Sequence, residues 1–212
     1  RGLGDVYKRQ FMDECKSMKI QVLGPDVNES QYKFSVNKKG NIRFGLGAIK
    51  GVGDSAVQAI VKEREANGPY KGIFDFVERV NLSACGKKTI ESLAISGAFD
   101  SFKEIHREDF TALNSKGEIF LETLVRYGVK VQNDKMSQAT SLFGSVAPIV
   151  TTPPEIPRGV PLSDIERLDK ERELVGMYLS AHPLDAYKLE LLYGCNTRMT
   201  DLKDRESLLN KE

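Results

Sequence analysis

The chain has 212 residues, of which 40% are hydrophobic and 29% charged, the composition of a soluble globular protein and not of a disordered or fibrous one. Lys and Arg total 31 against 30 for Asp and Glu, a net charge of +1, so bulk charge does not announce nucleic acid and the local distribution has to be read instead. No apolar run approaches the ~20 residues of a membrane span, residues 1–10 have no apolar core of a secretory leader, and three scattered cysteines (Cys15, Cys85, Cys195) argue against a disulfide framework or zinc site and for a reducing cytosol.

Residues 1–10 show no period and read as a non-native or junction segment. Phe11, Cys15 and Met18 at helical spacing suggest a helix end. Ile20 to Leu23 is a short extended run stopped by Gly24-Pro25. Tyr32–Val36 and Ile42–Phe44 alternate apolar and polar residues across the turn Asn37-Lys38-Lys39-Gly40-Asn41, which predicts a β-hairpin. From Leu46 the period turns helical, predicting helices over 54–66, 73–79, 87–95, 106–113 and 116–127. Ser115-Lys116-Gly117-Glu118 has the form of a capping box, and Gly128 fits the position just past a helix end. Residues 129–160 carry Pro148, Pro153, Pro154 and Pro157 and read as an extended linker. Ser163-Asp164-Ile165-Glu166 is a second capping box, opening a helix with Ile165, Leu168 and Val175 on one stripe.

The most informative stretch is Leu46-Gly47-Ala48-Ile49-Lys50-Gly51-Val52-Gly53-Asp54-Ser55-Ala56. A short apolar segment reaches Gly-Val-Gly and an amphipathic helix follows. The glycines permit positive φ and close approach of a ligand to the backbone. The first-turn amides of the next helix, with its dipole, form an anion site. Val52 would point inward, and small Ala56 would let two helices approach. This is the helix-hairpin-helix pattern, which grips a DNA strand by phosphates without reading bases. Residues 37–71 carry Lys38, Lys39, Arg43, Lys50, Lys62, Arg64 and Lys71 against Asp54, Glu63 and Glu65, a basic stretch in a neutral chain. A second, weaker copy follows: Lys87 and Lys88, a helix from Thr89, then the turn Ser96-Gly97-Ala98-Phe99-Asp100.

Phe44 to Gly53 resembles the helix-hairpin-helix region of the alpha subunit of bacterial DNA polymerase III, the family C replicative polymerases. Val22-Leu23-Gly24-Pro25-Asp26-Val27-Asn28-Glu29-Ser30 resembles the end of that family's fingers domain, Leu93 to Phe102 its second hairpin, and Glu173 to Asp185 the segment before its OB domain. The blocks occur in the family's order and cover most of residues 11–212. The resemblance implies a mainly α chain with a small β-hairpin: a tandem helix-hairpin-helix domain (46–128) between the end of a fingers domain (11–45), a linker (129–160) and a helical segment leading to an OB domain (161–212). It implies a cytoplasmic DNA-binding piece of a DNA-directed DNA polymerase. Its partners would be duplex DNA, a sliding clamp and other replicase subunits, with no membrane. Lys50, Gly51, Val52, Gly53, Asp54 and Ser55, with Lys87, Lys88, Ser96, Gly97 and Ala98, would hold DNA phosphates.

The family's magnesium is held by palm aspartates. No Asp-x-Asp-x-Asp run occurs here, so no catalytic residue, metal ligand or cofactor is expected in this chain, and it is expected to be inactive alone. The family also carries a clamp-binding Gln-x-x-Leu-Phe peptide. Ser137-Gln138-Ala139-Thr140-Ser141-Leu142-Phe143 supplies Leu142 and Phe143, with Gln138 one residue too far from Leu142. The alternative is a stand-alone adaptor that joins a partner to the clamp through Leu142-Phe143. A repair nuclease or glycosylase would need a carboxylate and lysine arrangement near the hairpin that is not found. His182 reads as a structural turn residue, His106 and Asp109 as a surface helix start, and Cys15 and Cys85 as small core residues. Phe74, Phe76, Phe99, Phe102 and Phe110 recur at helical spacing and are expected in the core rather than as base-stacking platforms.

Overall fold

The computed structural model describes residues 10, 11, 14, 15, 17–140, 151–181 and 183–194. Residues 10, 11, 14, 15 and 17 are helical, as the spacing of Phe11, Cys15 and Met18 suggests, and three short strands follow: β1 (Val22–Leu23), β2 (Ser35–Val36) and β3 (Ile42–Arg43). The predicted hairpin forms, with Ser35 opposite Arg43 and Val36 opposite Ile42 in antiparallel register. Its turn closes through the Asn37 carboxamide, which accepts from the Lys39 and Asn41 amides at 3.0 Å each. β3 also pairs in parallel with β1, so the extended run before Gly24 is the third strand of this sheet.

A 3-10 turn over Leu46–Ala48 leads to α1 (Asp54–Asn67), then α2 (Ile73–Arg79) and α3 (Lys87–Ile95), close to the predicted bounds. Each of these helices has a glycine at its N-cap: Gly53, Gly72 and Gly86. α1 buries Ala56, Val57, Ile60 and Arg64, one stripe at helical spacing. The predicted phenylalanines form the centre. Phe76, Phe99, Phe102 and Phe110 are buried and Phe74 is half-buried. The rings of Phe76 and Phe99 meet edge-to-face at 5.0 Å, and Phe99 and Phe110 stack at 5.6 Å. Cys85 is fully buried, and burial pushes its thiol up to about 12.

Three expectations fail in the next stretch. The predicted helix 106–113 shortens to a 3-10 turn, Arg107–Thr111. Asp109 is not on the surface: it is 1% exposed and accepts from the His106 amide (2.9 Å), the Gly159 amide (2.8 Å) and the Arg158 guanidinium (3.0 Å). Ser115–Glu118 caps nothing. The Asn114 carboxamide accepts from the Lys116 and Glu118 amides at 2.9 and 3.0 Å, and Gly117 stands at φ +77. An asparagine turn therefore outcompetes the box, and α4 begins only at Phe120.

α4 then runs through Gly128 to Thr140, so the first part of the expected linker, residues 129–140, is helical. Gly128 ends nothing: a Cβ there would stand 2.7 Å from the Val77 carbonyl of α2. The helix passes close against Val77 and Leu82 at this point, and its residues Leu121, Leu124 and Tyr127 are buried. Residues 151–163 have no regular structure but are tied down at Asp109.

The second capping box is real. Ser163 Oγ accepts from the Glu166 amide, and the Glu166 carboxylate accepts from the Ser163 amide, opening α5 (Asp164–Val175). Of the stripe predicted for α5, Leu168 and Val175 are buried and Ile165 is exposed. The chain divides into two compact units, residues 1–180 and 181–212. In the second, a 3-10 turn (Pro183–Tyr187) leads into α6 (Lys188–Tyr193). Among the described residues, no helix is long and apolar enough to cross a membrane.

Candidate nucleic-acid interface

Residues 49–53 form the turn that joins the 3-10 segment to α1. The Val52 amide donates to the Ile49 carbonyl at 3.1 Å, and Val52 is buried. Gly51 takes φ +88, the left-handed region that favours glycine. Gly53 does not: at φ −82 and ψ 162 it is ordinary extended backbone, and space is open around it. The two glycines thus differ in kind. Gly51 bends the chain, and Gly53 keeps the front of α1 clear.

Lys50, Gly51, Gly53, Asp54 and Ser55 are all exposed. No hydrogen bond among the described residues occupies the amides of Gly53, Asp54 or Ser55. The Asp54 carboxylate, which would compete with an anion, is turned along the helix and accepts from Gln58 at 2.6 Å. These donors point outward at the positive end of a helix dipole.

α3 brings its own N-terminus to the same turn. A Cβ on Gly51 would stand 2.7 Å from Ser92 Oγ, and the Thr89 hydroxyl donates to the Gly51 carbonyl at 3.4 Å. Thr89 and Ser92 went unremarked in the sequence; their spacing on the α3 face toward Gly51 was the available signal. Next to Thr89 lie exposed Lys87 and Lys88. No side chain caps Gly86, and no hydrogen bond among the described residues occupies the Lys87 or Lys88 amides. Lys87 reaches back to Glu122 at 2.5 Å. The two segments expected to bind phosphate, 50–55 and 87–88, therefore meet on one surface. Other helix starts are already filled: the Glu104 carboxylate accepts from the Ile73 amide at 2.9 Å at the head of α2, and Glu166 sits at the head of α5.

The second turn differs. Ser96, Gly97 and Ala98 are buried. Their amides donate to the Ser92, Ala94 and Leu93 carbonyls at 3.0, 3.1 and 2.9 Å. The Arg107 guanidinium and the Asp100 carboxylate close over Gly97. The amides of Ser96, Gly97 and Ala98 are thus taken up in bonds of the turn itself, unlike those at the start of α1.

The basic stretch is smaller than its count suggests. Arg64 is 8% exposed and spends its guanidinium on the Val27 and Ser30 carbonyls at 2.8 and 3.0 Å. Burial holds its pKa below the usual value. Its i+4 spacing from Ile60 already placed it on the buried stripe. Arg43 is bonded to the Gly24 carbonyl and paired with Glu29. Lys38, Lys39, Lys50, Lys62 and Lys71 remain exposed. In the clamp-peptide stretch, Gln138 falls in the last turn of α4, and Leu142 and Phe143 lie outside the described residues.

Comparison with known proteins agrees with this geometry. A family model described as a helix-hairpin-helix motif matches residues 19–110. DNA polymerase III subunit alpha of Haemophilus influenzae is 38% identical over 194 residues, covering 90% of this chain and 16% of that protein. The Chlamydia trachomatis subunit is 40% identical over 183 residues (84% and 14%), and the Deinococcus radiodurans subunit 36% over 193 residues (91% and 14%). The chain thus spans about 16% of the length of the first of these relatives. Over the segment that it spans, the chain belongs with the DNA polymerase III alpha subunits.

Proposed function

We propose that this chain holds duplex DNA by its phosphates, as the helix-hairpin-helix part of a cytoplasmic replicative DNA polymerase. The observation that carries the reading is the meeting of two glycine-capped helix starts, α1 and α3, with unoccupied amides and with Lys50, Lys87 and Lys88 around them. Gly51 shapes the turn, Val52 anchors it from below, and the amides of Gly53, Asp54 and Ser55 face the anion. Such a grip contacts backbone and not base edges, so it is indifferent to sequence.

Nucleotide incorporation is assigned to residues beyond those of this chain. The ground for this is the sequence, which holds no Asp-x-Asp-x-Asp run of the kind that would bind the magnesium. In this reading Gln138, Leu142 and Phe143 serve a sliding clamp, and further replicase subunits complete the assembly. An adaptor acting alone is the less favoured reading, because the similarity to polymerase subunits runs through nearly the whole chain.

The test is duplex binding at several salt concentrations for the parent chain, Lys50→Ala and Gly53→Val, with circular dichroism to confirm folding. Lys50→Ala should weaken all sequences alike and lower the salt slope by about one unit. Gly53→Val should keep the fold and lose affinity by filling the space before the amides. Two folded variants that bind like the parent would reduce this hairpin to a turn.

A further inference from the structure

The phosphate-binding turn is not held by its sequence neighbours alone. The Lys50 amide donates to the Leu174 carbonyl at 2.9 Å, in the last turn of α5, far along the chain. That last turn is itself fixed. Val175 is buried in the core, and Gly176, at φ +79, closes the helix by donating to the Arg172 carbonyl at 2.8 Å. One turn earlier, Glu171 is 1% exposed. Its carboxylate accepts from the amides of Leu179 (2.7 Å) and Ser180 (2.9 Å), from the Ser180 hydroxyl and from the Arg107 guanidinium (3.3 Å). Arg107 also grips Asp100 and donates to the Ile95 carbonyl at the end of α3. Burial works against the charge of Arg107, but the two carboxylates hold its pKa above the usual value.

One buried carboxylate thus ties the end of α5 both to the end of α3 and to the strand of chain that follows it. The same end of α5 holds the phosphate turn. We infer that Glu171 is a positioning residue for the proposed DNA grip: through α5 it sets the main chain at Lys50, and with it the place of Gly51 and the Lys50 ammonium. This rests on the phosphate-binding reading above. Glu171 touches no DNA. A paired buried charge has few ways to rearrange, because any displacement leaves it desolvated and unpaired, and this is what makes it a rigid strut.

The experiment uses the full chain with two variants. Glu171→Gln keeps the shape but removes the charge shared by Arg107 and Ser180. Gly176→Ala leaves Glu171 alone and disturbs the last turn of α5 at an exposed left-handed position. Amide hydrogen exchange is read at Lys50 and, as a reference, at Ile60 and Ile90 of the core, and duplex affinity is measured beside Lys50→Ala. Both variants should expose the Lys50 amide by about tenfold relative to the reference amides and weaken duplex binding several-fold. Lys50 protection that stays at the parent's level, or falls only in step with Ile60 and Ile90, would overturn the inference and leave Glu171 a structural residue. So would a loosened Lys50 amide with parental affinity while Lys50→Ala binds weakly. If Lys50→Ala itself binds like the parent, it is the phosphate reading that fails, and the exchange data still decide whether Glu171 sets this turn.

Discussion

Gly51 and Gly53 look interchangeable in sequence, and the structure separates them. Left-handed Gly51 sits against Ser92, so any side chain there meets both backbone strain and a neighbouring helix. Gly53 is extended with open space before it. Gly51→Ala should therefore cost about 1–2 kcal/mol in urea denaturation. Gly53→Ser should fall within about 0.5 kcal/mol of the parent, because serine is a good N-cap. Equal costs at the two positions would show that the turn is not built as described. A composition of Gly-x-Gly cannot reveal which glycine bends, since that depends on how α3 docks behind it.

At the level of elements, α1, α2 and α3 were legible because each is a short amphipathic run with glycine or loop residues before it. α4 was misread at both ends for one physical reason: local signals gave way to a competing contact. The Ser115 box lost to the Asn114 turn, and Gly128 was taken for a terminator when its missing side chain serves helix packing. The box at Ser163 has no such rival and holds. The Gly128 finding gives a prediction opposite to helix propensity. Alanine in mid-helix should gain about 1 kcal/mol over glycine, but here its Cβ would press on the Val77 carbonyl. Overpacking of about 1–3 kcal/mol should win, so Gly128→Ala should lower the melting temperature. A raised melting temperature would mean that α2 and α4 are free to move apart.

Over the whole molecule, the candidate site was half visible in advance. The hairpin and the lysines were found, because their residue types announce the chemistry. The burial of Arg64 was open to view in its i+4 spacing from Ile60, whereas the pairing of Arg43 and the bonds inside the second turn were not, because contacts in the folded chain decide both. Arg64 and Arg43 were counted as surface charge and hold carbonyls and a carboxylate instead. DNA affinity should then depend on a few exposed lysines, with a correspondingly modest salt slope. The proposed clamp peptide belongs to this scale too, since Gln138 lies in the last turn of a helix that starts in the core. Leu142→Ala with Phe143→Ala should weaken binding to a bacterial sliding clamp in titration and leave duplex affinity unchanged, as expected for two buried anchors of a short peptide. Clamp affinity equal to the parent's would remove that role.

The uncapped start of α1 is hidden from alanine scanning, which reads the lysines beside it but not the helix start itself. Its donors are peptide nitrogens, and truncating side chains leaves every one in place. Only the one residue type without a backbone proton can delete a donor. At position 54, the first residue of α1, the helix tolerates that residue type well, and Gly53 at ψ 162 already has the conformation it demands of its predecessor. Asp54→Pro should therefore fold like Asp54→Ala, carry the same charge and differ from it by a single missing N–H. If that amide holds a phosphate, the proline variant should bind duplex DNA about five- to tenfold more weakly than the alanine variant. Equal affinities would clear the Asp54 amide of any part in the grip.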